Sequence, residues 1–265
     1  MLRALYTSAT GMKAQELLID NTANNLANVN TTGFKRSHVE FADLIYTTLD
    51  QPGQEVASGQ STPVGLQVGS GARAVATSKV FSPGSFAQTD NPLDVAIEGD
   101  GFFKVLLPNG DERYTRDGAF RIDGAGQLVT AAGYRVDPPV TVSSGVSLSR
   151  LKVGSDGTVT ATPADDPNGS VTLGRLQITT FLNPPGLSSE GGNLYAETAA
   201  SGQKSAGDPG TDGRGMLRGG FLEGSNVQVV TELISLISAQ RAYEVNSRAI
   251  RAGDEMLSTS NDIVR

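Results

Sequence analysis

An α+β fold is predicted for this chain, with long helical ends and a mainly antiparallel β middle, on three observations. Apolar residues recur every seven positions near both ends, Asn-Gly and Asp-Gly dipeptides punctuate the middle, and Gly is abundant at 32 of 265 residues without any Gly-X-Y period. The first apolar row is Leu5, Met12, Ile19 and Leu26; the second is Val229, Leu236, Tyr243, Ile250, Leu257 and Val264. A seven-residue step falls about 20° short of two helical turns, so each row traces a narrow, slowly drifting stripe on one helix face. Such a stripe is too thin for a globular core and reads as a seam that needs a helical partner. The rows therefore predict coiled-coil-like pairing of the two ends with each other and with the ends of neighbouring copies, as in a polymerising protein.

The first helix is predicted over residues 2–31, closed by Thr31-Thr32-Gly33, where Gly takes a left-handed backbone readily. Gly11 weakens it by about 1 kcal/mol relative to Ala. Asn21, Asn24, Asn25 and Asn28 follow i, i+3, i+4, i+7 spacing and line one side. Asn is a mediocre helix former, so the stripe is either a solvent-facing polar side or a set of amides bonded to adjacent helices, which also brings in Asn246.

From residue 36 to 76 the chain changes character. Phe41, Leu44, Ile45 and Leu49 suggest a short ordered element, Gln51-Pro52-Gly53-Gln54 a turn, and Val64, Leu66 and Val68 alternate as a strand does. The segment reads either as a linker or as an extended hairpin arm lying on neighbouring molecules. In the arm reading, Gly53 and Gly65 supply backbone freedom or close contact.

A β-rich outer domain is expected over 77–224. Phe103, Val105 and Leu107 alternate with Phe102, Lys104 and Leu106, and Asn109-Gly110 turns the chain back through Tyr114. Asp117-Gly118, Asp123-Gly124 and Asp156-Gly157 are read as the same turn device, and residues 183–224 as a relaxed Gly- and Pro-containing return. The last helix is expected to open at Ser225 with a capping box completed by Gln228, and to form, with residues 1–35, a terminal polymerisation domain over 225–265.

Composition removes several classes of function. With 28 acidic against 21 basic residues and a net charge of −7, no nucleic-acid partner is expected, because phosphate binding draws on clustered Lys and Arg. Cys is absent, which removes disulfides, thiolate metal sites and thiol nucleophiles. The single histidine, His38, is read as a surface or packing residue rather than a triad member. Asp123-Gly124-Ala125-Gly126 lacks the remaining ligands of a calcium loop, and the aromatics of Gly99-Asp100-Gly101-Phe102-Phe103 do not suit a phosphate cradle. No catalytic residue, metal or cofactor is expected. Charged residues break the first 20 positions, so no cleavable signal core is read there, and no window resembles a membrane span.

Longer motifs carry a resemblance. ANNLANVNTTGFKR at 23–36 and AQRAYEVNSRAI at 239–250 resemble the terminal motifs of the bacterial flagellar rod and hook family. NPLDVAIEGDGFF at 91–103, YTRDGAF at 114–120 and GQLVT at 126–130 resemble that family's central domain, and the 46–70 segment is most similar to its distal rod branch. The resemblance implies a non-enzymatic subunit of a hollow helical homopolymer that carries motor torque. It implies, as partners, proximal rod proteins, hook or hook-adjacent subunits, the surrounding peptidoglycan and outer-membrane ring proteins, and the flagellar type III export apparatus. The implied location is the periplasm-spanning rod of the basal body. Proximal rod or hook-type subunits of the same family, and an extracellular β-rich adhesin or hydrolase, are the alternatives.

Overall fold

The computed structural model describes residues 2–51, 55–57, 60–61, 64–142, 146–163 and 169–263. Among the described residues, two α-helices and mainly antiparallel sheets give an α+β architecture. The chain divides into two compact units that interleave along the sequence: Met1–Leu26, Ser37–Ser78 and Val229–Arg265 form one, Ala27–Arg36 and Lys79–Gln228 the other.

In the first unit, α1 spans Leu2–Ala27 and α2 spans Val229–Ile263. α1 stops short of the predicted end because Asn28 and Thr31 close a turn of their own: the Thr31 N–H donates to the Asn28 carbonyl at 3.2 Å and its hydroxyl to Asn28 Oδ1 at 3.1 Å. Short polar side chains compete with the helix for backbone groups in this way. α2 starts later than its predicted cap. Ser225 Oγ accepts the Val227 N–H at 3.3 Å in a local turn, and Asn226 is held outside the helix by bonds to Arg36 and Val80. Between the helices, strand Ser37–Asp43 pairs with Ala72–Lys79, and Thr47–Asp50 pairs antiparallel with Leu66–Val68.

The second unit is built on a sheet whose central strand, Phe102–Leu106, lies between Arg135–Asp137 and Glu112–Thr115. Alternation along this strand supplies two cores. Phe103 and Val105 join Val95, Ile97, Phe120, Leu151, Leu176 and Ile178 in the larger cluster, whereas Phe102 joins Tyr114, Phe181, Leu187 and Tyr195 in the smaller. The aromatic pairs meet edge-on, with Tyr114 and Phe181 centroids 4.8 Å apart, the arrangement that ring quadrupoles favour.

Two sequence readings change here. Asn109-Gly110 does turn the central hairpin, with Gly110 at φ +88°, but Asp117-Gly118 does not repeat that device. Gly118 is a close-approach residue: a Cβ there would lie 1.7 Å from the Val95 carbonyl oxygen, whose strand it approaches. The 183–224 stretch is also more ordered than predicted. Met216–Gly219 pairs with Val95–Glu98 and Phe221–Glu223 with Phe86–Gln88, so short, weakly β-prone runs become strands through partners more than 100 residues away.

Candidate assembly interface

Within the first unit the two helices meet along their described lengths. Asn25 Nδ2 donates to Glu232 Oε2 at 3.3 Å, a Cβ at Gly11 would lie 3.0 Å from Asn246 Nδ2, and a Cβ at Gly253 would lie 2.6 Å from Leu5 Cδ2. The partner on α2 advances as that on α1 retreats, so the helices run antiparallel. The tightest positions on α2 are Glu232, Ala239 and Gly253, with Asn246 half-buried; on α1 they are Ala14, Thr22 and Asn25. These residues are small or polar, which lets backbones approach closely. They form a second seven-residue row, Glu232, Ala239, Asn246 and Gly253, beside the apolar one. Small or polar residues at that spacing are its signal in the sequence.

The residues of the apolar rows take several environments. Leu5, Met12, Ile19, Leu26, Leu236, Ile250 and Leu257 are half-buried, while Val229 and Tyr243 are about two-fifths exposed, at 41% and 40%. Val264 and Gly53 lie outside the described residues. Gly65 immediately precedes strand Leu66–Val68.

Two amides of the stripe, Asn21 and Asn25, bond to the chain's own backbone, and Asn25 also reaches Glu232 of α2. Asn21 and Asn25 both donate to the Ser37 carbonyl at 2.9 Å, and Asn25 Oδ1 accepts the Ser37 N–H at 2.9 Å. A helix side is thereby fixed to the first residue of a strand. Asn24 is exposed and Asn28 serves its turn.

α2 also carries apolar residues opposite its seam. Val230, Ile234, Ile237 and Val245 recur at steps of four, three and eight, and all are exposed, Val230 at 70% and Ile234 at 63%. A helix apolar on two sides needs a second covering surface. The same unit holds an open groove of about 770 Å³ lined by Tyr6, Lys13, Leu17, Asp20, Leu44 and Arg73, among others. Among the described residues, no helix is long and apolar enough to cross a membrane.

Three family matches run along the chain in order. A flagella basal body rod protein segment matches residues 5–35, a flagellar hook protein FlgE/F/G D1 domain matches 96–161, and a flagellar basal body rod FlgEFG C-terminal segment matches 218–263. The chain is 47% identical to the flagellar basal-body rod protein FlgG of Borreliella burgdorferi over the whole of both chains. The chain belongs to the flagellar basal-body rod family. It is 41% identical to FlgG of Caulobacter vibrioides over 99% of each chain, and 38% identical to FlgG of Bacillus subtilis over 97% of each. As a rod-family protein it is a structural subunit of the distal rod in the basal body, not an enzyme, which sets aside the hydrolase and adhesin readings.

Proposed function

We propose that this rod protein polymerises helically into a hollow drive shaft that transmits motor torque to the hook, with its terminal helices supplying the contacts between copies. The observation that carries this is the two-sided α2: one side meets α1 through the row Glu232, Ala239, Asn246 and Gly253, the other leaves Val230, Ile234, Ile237 and Val245 in water. Burial at about 25 cal/mol per Å² of such surface, repeated at each added copy, supplies affinity to offset the ordering of long helices. The antiparallel contacts between α1 and α2 support a coiled-coil-like terminal domain made of 1–35 and 225–265. The 36–76 segment, with Gly53 and Gly65, is proposed to brace neighbouring copies as a hairpin arm, and 77–224 to form the outer domain. Leu5, Met12, Ile19, Leu26, Asn246, Leu236, Ile250 and Leu257 line the proposed contacts.

In this reading the subunit leaves the cytoplasm through the flagellar type III apparatus without signal cleavage and assembles in the periplasm between proximal rod and hook, inside the rings. The test is a pair of substitutions, Ile234→Asp with Ile237→Asp, in purified protein and in complemented cells. The expected result is a monomer with unchanged circular dichroism that neither sediments as polymer at high concentration nor yields rods in electron micrographs. Normal rods from this variant would end the proposal.

A further inference from the structure

Three buried charges meet in the second unit, each from a different stretch of chain. Lys35 belongs to the segment that follows α1, Arg116 directly follows strand Glu112–Thr115, and Glu223 ends strand Phe221–Glu223 shortly before α2. Lys35 and Glu223 side chains are fully buried and Arg116 is 1% exposed. Lys35 Nζ lies 2.6 Å from Glu223 Oε1 and also donates to the Ser82 carbonyl at 2.8 Å. Arg116 Nη1 lies 3.5 Å from Glu223 Oε2, and its guanidinium lies 5.3 Å from the centroid of the Phe102 ring.

Backbone bonds radiate from this cluster. The Gly84 N–H donates to Glu223 Oε1 at 3.0 Å, and the Gly33 N–H to the Glu223 carbonyl at 2.8 Å. One step on, the Arg36 N–H donates to Asn226 Oδ1 at 2.8 Å, and the Gly224 N–H to the Ser85 carbonyl at 2.7 Å. Segments 27–36 and 221–228 are thus tied together by polar contacts. Neither hydrophobic cluster contains a residue from them.

We propose that Lys35, Arg116 and Glu223 form an all-or-none charge lock that fixes both connectors, the one leaving α1 and the one entering α2, and that opens as one unit while the β core stays folded. Two cations share the Glu223 carboxylate, so removing Glu223 leaves both uncompensated out of water, and removing Lys35 or Arg116 strips the carboxylate of an ion-pair partner. Burial pushes the Lys35 ammonium and the Arg116 guanidinium below their ordinary pKa values, with Glu223 opposing both shifts. The network is incompletely satisfied: Arg116 Nε and Nη1 and Glu223 Oε2 have no hydrogen-bond partner among the described residues. The two connectors are held by polar contacts and lend no residue to either apolar cluster, so they open at lower cost than the β core, while Arg116 stays against Phe102 of the smaller cluster.

The lock does not depend on assembly, so its test uses the full-length monomer and amide hydrogen exchange resolved to single residues. Glu223→Gln is expected to lower protection at Gly33, Arg36, Gly84 and Gly224 together, by about a hundredfold, with strand Phe102–Leu106 unchanged. Lys35→Met is expected to affect the same amides, and the double variant no more than either single one. Loss confined to Gly84, which alone bonds the replaced carboxylate oxygen through its N–H, would overturn the proposal, as would additive losses. If Glu223→Gln does not fold, Lys35→Met decides on the same amides. If neither folds, or if Phe102–Leu106 loses protection equally, the cluster is inseparable from the core and the proposal fails.

Discussion

Gly11 of α1 faces Asn246 of α2 so closely that a Cβ on the glycine would lie 3.0 Å from the amide nitrogen. Replacing Gly11 by Ala gains about 1 kcal/mol of helix propensity but crowds Asn246. Asn246→Ala removes the obstruction. The two substitutions are therefore expected to couple favourably, the double variant being more stable than the sum of the singles predicts. Urea unfolding followed by circular dichroism measures this, and simple additivity would show that the contact carries no strain.

Asn25 and Asn21 should differ in cost although both are helical amides bonded to Ser37. Truncating Asn25 to Ala strips a partner from the Ser37 N–H, from the Ser37 carbonyl and from Glu232, which is only 3% exposed. That change is expected to cost about 2–3 kcal/mol. Asn21→Ala removes a single bond to the Ser37 carbonyl, which Asn25 still serves, and should cost about 1 kcal/mol or less. Equal losses in thermal unfolding would show that the Ser37 N–H does not depend on Asn25.

Two glycines separate lack of room from backbone conformation. Gly118→Ala drives a methyl to 1.7 Å from a backbone oxygen and is expected to destabilise by about 3 kcal/mol or more. Gly110 has open space but a φ of +88°, so Ala there should cost only about 1–2 kcal/mol. The order of the two unfolding midpoints checks this directly.

Asp117 provides a pH signature. Burial pushes its carboxyl above the ordinary aspartate value, against the hydrogen bond from Thr32. The folded protein then keeps this proton to higher pH than the unfolded chain does. A stability cost develops as pH rises from about 4 through the folded pKa, and persists above it. Asp117→Asn keeps Oδ1 as acceptor for the Thr32 hydroxyl and the Ala119 N–H while removing the charge. The variant is expected to melt higher than wild type at neutral pH, with the advantage fading below about pH 4. A difference independent of pH would exclude the carboxylate as its source.

Elements whose cause is local were legible beforehand. The seven-residue rows marked both helices, Asn109-Gly110 marked the central hairpin, and the alternation around Phe102 and Phe103 marked the strand that feeds both cores. Each follows from a periodicity or a turn preference that neighbouring residues set by themselves. The row Glu232, Ala239, Asn246 and Gly253 escapes hydrophobic periodicity, which is blind to positions that are polar or lack bulk.

The destinations of polar side chains were not legible. Four asparagines at helical spacing suit either water or a neighbouring helix; Asn25 does meet Glu232 of α2, but Asn21 and Asn25 also fasten Ser37, which no spacing rule specifies. Gly118 looked like a turn and proved to be a point of close approach to Val95. Lys35, Arg116 and Glu223 are far apart in sequence, and only folding brings them within bonding distance. By itself, then, the sequence determined where helices and hairpins form, since those depend on neighbours a few residues away. Tertiary structure alone decided which distant polar groups were buried together, because their desolvation is offset only by partners that the completed fold supplies.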